Sequence, residues 1–350
     1  MSLAEAIETG DLARLPSRRD EAWRWSDLRG LVRIAPPASP AWTGALPPGP
    51  FGALAAEEVL IVNGRGLERL SVGPGEARVI ALRFVAAPNA GAHVARLAID
   101  VAPGGELVLL ESHEGLGEAY LAQTQIGIDL ADDAGLERIV LGAHAESGIG
   151  VAVAEVRIGR GSRFAQTVVG QGARRERVET AVTHPGGGAA VRLDGLYRVV
   201  DRRHCDITTV VTHAGVGGST DQLVKGVVDD QGRAVFQGRI VVSPGADQTD
   251  AKMGHHALIL SDRAEVDAKP ELEIYADDVA CAHGNTVGAL DADALFYAMQ
   301  RGMPLAQARA LLTLAFVGAV VERIGHDGAR EVVRRWVAER LGAEDLEPTP

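Results

Sequence analysis

The chain has 350 residues, enough to bury a sizeable core, with 35 Lys plus Arg against 47 Asp plus Glu and a formal net charge of −12. That balance, with no Lys/Arg-rich run, speaks against a nucleic-acid partner, and only two cysteines, Cys205 and Cys281, speak against a disulfide framework and for a reducing, cytoplasmic compartment. The N-terminus carries acids early and lacks a secretory apolar stretch, and the longest apolar run, residues 314–321, is too short to span a bilayer, so no membrane partner is expected.

In chain order, residues 3–15 and 20–31 read as two helical stretches. The second has Trp23, Trp25 and Leu28 as its apolar bulk and Asp20 as its N-cap. Residues 36–50 hold six of the 16 prolines, which excludes regular helix or central strand and predicts an extended connector. Helical region and connector together make up residues 1–50.

Residues 51–288 read as a β core. Glycine is abundant, 42 residues, and spread among short Val, Ile and Leu runs, while aromatic residues are only 4%. Turn clusters fall near Gly104, Asp133, Arg160, Gly187 and Val216, at steps of 29, 27, 27 and 29 residues. They continue near Gln231, Gly245, Asp262 and Asp277, at steps of 15, 14, 17 and 15. The second set is about half the first, which reads as a turn seen once per circuit early and twice per circuit later. A fixed repeat of strand and turn without intervening helices predicts a mainly β protein with a β-solenoid core, in which each circuit buries its inward side chains only by stacking on its neighbours. Sandwich turns recur every 8–12 residues, shorter than these steps.

After residue 288 the period changes. Residues 291–301 are helical, with Leu295, Phe296 and Met299 on one side. Pro304 opens a second helix over 305–324, and a third covers 327–341. These make a C-terminal helical region, 289–342, positioned to cap an open solenoid end. Residues 343–350 read as a disordered tail.

The densest chemistry lies in residues 269–302. Along an extended backbone Cys281 and His283, two apart, face the same way, and a thiol beside an imidazole suits iron, zinc or copper. Two donors do not complete a site. A half-buried thiol and a hydrogen-bonded histidine at a strand end explain the same pair. His204 and Cys205 are adjacent, so they face opposite ways, and His255 with His256 reads as surface or turn. Residues 215–220 are a glycine turn without P-loop context, so ATP binding is not expected of this chain. The adjacent acids Asp229 with Asp230 and Asp277 with Asp278 leave open a β-helix enzyme acting on carbohydrate or acyl groups, although such clefts want aromatic platforms and two separated carboxylates. A homodimeric metal-binding protein is a third reading.

The C-terminal half resembles the SufB/SufD family of iron–sulfur cluster assembly proteins, nearest its SufD branch. The resemblance is carried by QLVKGV (222–227), AVFQGRI (234–240), QTDA (248–251), LSDRAEVD (260–267), KPELEIYADDVACAHGNTVG (269–288), LFY (295–297) and RG (301–302), with DEAWRWSDL (20–28) matching the family's opening. SufB-like members typically carry E-H-E-A where this chain has residues 280–285, which favours the SufD branch, and Asn285 stands where the family commonly has alanine. The resemblance implies a right-handed parallel β-helix with helical ends. It also implies a non-catalytic scaffold subunit that pairs with a SufB-like paralogue and carries a SufC-like ABC ATPase on its C-terminal helices. On that footing His283, and with it Cys281, would be candidate ligands for transient iron or a nascent cluster at the subunit interface, with no cofactor held tightly by the isolated chain, which could form a homodimer when alone.

Overall fold

The structure, a computed structural model, is described for residues 3–343. Short strands follow one another around a solenoid. The first are β1 (Glu57–Val62), β2 (Arg69–Val72), β3 (Ala77–Ala86), β4 (Ala92–Val101), β5 (Glu106–Gly115) and β6 (Leu121–Leu130). Then come β7 (Gly135–Ala143), β8 (Ile149–Ile158), β9 (Arg163–Gly170), β10 (Arg175–His184), β11 (Ala190–Val199) and β12 (His204–His213). The last are β13 (Ser219–Val228), β14 (Arg233–Val242), β15 (Thr249–Ile259), β16 (Glu265–Ile274) and β17 (Val279–Gly288). Odd-numbered strands stack into one nine-stranded sheet and even-numbered strands into an eight-stranded sheet, and every neighbouring pair is parallel.

The protein is therefore a parallel β-solenoid with terminal helices. Inward positions of successive coils align in axial columns, such as Leu107, Leu136, Phe164 and Val191, all buried. No coil buries these side chains by itself, so the hydrophobic gain comes from stacking.

One edge of the solenoid is a ladder of turn amides. Gly161 donates to the Gly187 carbonyl (3.2 Å), Gly187 to Val216 (2.7 Å), Gly217 to Asp247 (2.9 Å) and Gln248 to Asp278 (2.6 Å). Gly161, Gly187 and Gly217 sit at φ of +65°, +63° and +72°, a backbone region glycine enters without steric cost. The opposite edge corrects the spacing argument, because every coil has two corners rather than one. The missed corners are closed partly by side chains: Ala145 N–H donates to Tyr120 Oη (3.2 Å), and Gln171 Nε2 donates to the His144 carbonyl (3.2 Å).

The N-terminal helices are shorter than their sequence predicts. Helix α1 covers Leu3–Thr9 and ends at Gly10, with one 3₁₀ turn at Leu12–Arg14 and another at Glu21–Trp23. Asp20 does not cap forward. Its Oδ2 accepts from Ser17 N–H (2.8 Å), and two of the carbonyls that a helix over 20–31 needs are taken by the even sheet. His204 Nε2 donates to the Trp25 carbonyl (3.0 Å) and Gln237 Nε2 to that of Ala22 (3.3 Å), while Ser26 Oγ bonds the buried Asp206. Tertiary contacts thus override helix propensity, and the segment runs as an arm across the outside of the even sheet.

Three helices follow the solenoid: α2 (Ala292–Gln300), α3 (Leu305–Val321) and α4 (Asp327–Leu341). Asp291 caps α2 through the N–H groups of Asp293 and Ala294. Pro304 is the N-cap of α3, one position before the helix, and α3 ends three residues short of Ile324. The helices do not cap the solenoid end. Val317, Val320, Ile324, Val333 and Val337 instead pack on Leu110, Ile139, Leu141, Leu196 and Val227, the outer face of the odd sheet. Arg323 fastens the α3–α4 corner by donating to Asp194 (3.0 Å) and Asp221 (2.8 Å), and Lys225 Nζ donates to the Phe316 carbonyl (2.9 Å). The buried side of α3, Val317, Val320 and Val321, thus lies against the sheet's side. From residue 344 the expected tail lies outside the described residues.

Candidate functional site

Because the helices lie along its side, the solenoid ends in an open coil. Among the described residues, strands β16 and β17 each have a neighbour on one side only. The inward row of β17 is Cys281, His283, Asn285 and Val287, in register with Ala251, Met253, His255 and Ala257 of β15, all of them buried. Facing it, the inward row of β16 is Val266, Ala268, Pro270, Leu272 and Ile274. Val266, Leu272, Val279 and Cys281 pack against the core from one side, and Ile274 and Val287 are both 42% exposed. The interior is thus cut open across an apolar cross-section that carries one thiol and one imidazole.

The structure brings Cys281 and His283 onto the same face two residues apart. Cys281 is half-buried and His283 exposed. Burial pushes the Cys281 thiol up; a hydrogen bond from the Ala251 backbone opposes it, and Asp250 adds a smaller upward push. The thiol is protonated at neutral pH, and a metal arriving there has to displace that proton. Among the described residues no group of three or more His, Cys, Asp or Glu is arranged to hold a metal ion, so the two donors remain part of a site.

The other candidates separate. Cys205 faces inward and is buried, and His204 faces outward beneath the N-terminal arm. His255 and His256 are not on a turn: both lie in β15, and His255 is wholly buried. Asp229–Asp230 and Asp277–Asp278 lie on corners, and residues 215–218 form a turn that leads into β13. Sequence reasoning missed the polar interior. Arg138, Gln166, Gln222 and His283 belong to one inward column, and Arg138 makes a bidentate pair with Glu111, both bonds 2.7 Å, while donating to Gln166 (2.7 Å). Glu111 was readable as a charge within an apolar run, but its partner lies one coil away.

A family model described as SUF system FeS cluster assembly, SufBD core domain, matches residues 84–316, most of the solenoid with α2 and most of α3. The chain belongs to the SufB/SufD family. It is 32% identical to the iron–sulfur cluster assembly protein SufD of Escherichia coli over 249 residues, 69% of this chain and 58% of that protein. It is 32% identical to SufD of Bacillus subtilis over 126 residues, 36% of this chain and 29% of that one. An iron–sulfur cluster assembly SufBD family protein of Mycobacterium tuberculosis is 26% identical over 363 residues, 95% of this chain and 90% of the relative. The chain spans little more than half of the E. coli SufD and 38% of a SufBD family protein of Synechocystis. The SufB/SufD resemblance carried by residues 222–302 is thereby borne out. No helix among the described residues is long and apolar enough to cross a membrane.

Proposed function

We propose that this chain is a SufD-like, non-catalytic scaffold subunit of a SufBCD-type complex that assembles iron–sulfur clusters in the cytoplasm. The observation that carries the reading is the open coil. Unpaired edge strands, an exposed apolar lining and two metal donors make half of an interface and half of a site. A SufB-like paralogue seated on that end buries the lining and supplies the missing donors. Iron and sulfide are cargo there, held transiently with His283 as the principal ligand from this side and Cys281 as its neighbour.

The helical region, residues 289–342, supports a SufC-like ATPase partner. Helices α3 and α4 spend their apolar faces on the odd sheet, whereas α2 buries no residue and exposes Phe296, Tyr297 and Met299, joined by Leu305 at the start of α3. Two residues, 289–290, separate β17 from the α2 cap Asp291, so force applied to α2 reaches the strand of His283 almost directly. In this mechanism the ATPase moves α2, and the interface around His283 opens to iron and sulfide.

The deciding experiment is a pull-down of the tagged chain from its own cytosol. Recovery of an ABC-type ATPase and a paralogous solenoid subunit in stable ratio is the expected result. A chain recovered alone, or only with itself, overturns the heteromeric scaffold.

A further inference from the structure

The two histidines of β15 have no part in the site as described so far. They are adjacent in one strand and so face opposite sides of the odd sheet. His255 faces the interior, where its ring lies flat on Phe236 at 4.7 Å between centroids and 9° between planes. Its Nε2 meets Tyr197 Oη at 2.8 Å, and its Nδ1 meets Asn285 Oδ1 of β17 at 2.7 Å. One neutral tautomer satisfies both bonds: Nδ1–H donates to Asn285 and Nε2 accepts from Tyr197. Burial lowers the His255 pKa to about 4, which keeps that neutral form in place near neutrality. On the other side of the sheet His256 Nδ1 meets Thr286 Oγ1 at 2.7 Å.

Two consecutive residues of β15 therefore grip two consecutive residues of β17, one pair inside and one outside. The strand they hold has a single neighbour among the described residues and is exposed at every position from Ala282 onward. Asn285 stands two residues from His283 in the same inward row. A shift of one residue in an edge strand turns every inward side chain outward. We propose that His255 and His256 are positioning residues, a two-sided staple that fixes the register of β17 and so the inward aim of His283. The proposal rests on the reading of His283 as a ligand. It assigns a role to residues outside the two proposed ligands.

The test uses the purified full-length chain and the rate at which an aromatic disulfide reagent labels Cys281, with Cys205 silent inside the core, alongside amide exchange of β17. Asn285→Ala alters an exposed side chain and removes the inner grip; Thr286→Val removes the outer one. Each is expected to raise Cys281 labelling and β17 exchange by about fivefold, the factor carried by loss of one hydrogen bond, with the melting temperature of the solenoid unchanged. In a His255→Leu background Asn285→Ala should add nothing further, because the two act as a pair. Unaltered labelling and exchange in the Asn285→Ala/Thr286→Val double variant overturn the staple. His283→Ala separates the two readings: it leaves labelling as in the parent chain, so wild-type cluster assembly in that variant removes the ligand role while the staple stands.

Discussion

His283 is in register with Met253, one strand inward, but the two differ in cover: Met253 has a further coil on top of it and is 2% exposed, whereas His283 has none among the described residues. The histidine occupies a core position whose covering layer is missing. On the proposed reading that layer is another protein.

It follows that His283→Ala should abolish cluster assembly by the reconstituted complex while subunit stoichiometry is unchanged in gel filtration. Loss of the complex itself would make the residue structural. Cys281→Ser is expected to have the smaller effect, because the burial that raises the thiol pKa opposes the thiolate a metal requires.

Docking of the ATPase can be separated from folding. Phe296→Asp with Tyr297→Asp alters only exposed side chains, so melting should move little, within the ~0.5 kcal/mol typical of surface changes. Capture of the ATPase should be lost, as it should on removal of residues 291–350. ATPase capture that survives both changes places the docking surface elsewhere.

Stability should fall with acid. His93, His204, His213 and His255 are lowered to about 4 and His144 to about 3, in each case chiefly by burial. A folded pKa below the unfolded value means that the unfolded chain binds the proton first, so stability is complete above about pH 6.5 and declines toward pH 4. Asp194, raised to about 6, and Glu176, raised to about 7, both by burial, work in the opposite sense, but two groups oppose five. Thermal melts at pH 7 and pH 5 should show the lower midpoint at pH 5, and an equal or higher midpoint there would contradict the balance.

The interior ion pair is a sharp stability probe. Arg138→Met leaves Glu111 wholly buried, with His113 but no permanent cation beside it, and should cost roughly 3–5 kcal/mol in urea unfolding. Changing Glu111→Leu as well should recover much of that loss, since the uncompensated charge is gone.

Finally, the N-terminal arm hangs on Asp206, which accepts from Ser26 and from Arg177 (2.5 Å), while Arg177 also lies under the Trp23 ring at 4.5 Å. Asp206→Asn weakens both bonds. Limited trypsin digestion should then cut after Arg18 or Arg19 several-fold faster, with the solenoid fragment intact; an unchanged cleavage rate would show the arm to be held elsewhere.

The solenoid was legible where backbone geometry dictates residue type. Corners at Gly104, Asp133 and Gly187 need glycine or aspartate at positive φ or beside it, and they stand out. Corners closed by Tyr120 or Gln171 do not, because a side-chain hydrogen bond leaves no compositional mark. Helix α4 was readable to its ends, while residues 20–31 were not, since the carbonyls of Trp25 and Ala22 are claimed by His204 and Gln237, 179 and 215 residues away. The apolar run 314–321 within α3 was visible, but an apolar run does not say whether its helix will lie on an end or a side. Cys281 and His283 could be paired because two-residue alternation is local. The bond from His255 to Asn285 depends on coil length, which no local pattern encodes.

The helices that lie back along the odd sheet have one further consequence. Their corner is tied by Arg323 to β11 and β13, and their other end is tethered to β17 by two residues. Neighbouring strands are about 4.8 Å apart, so the number of coils between those attachments is a ruler. Solenoids ordinarily tolerate gain or loss of a repeat. Here one coil more or fewer between β13 and β17 would slide the tether past its reach, so chain length in this span is under geometric control that the stacking itself does not impose.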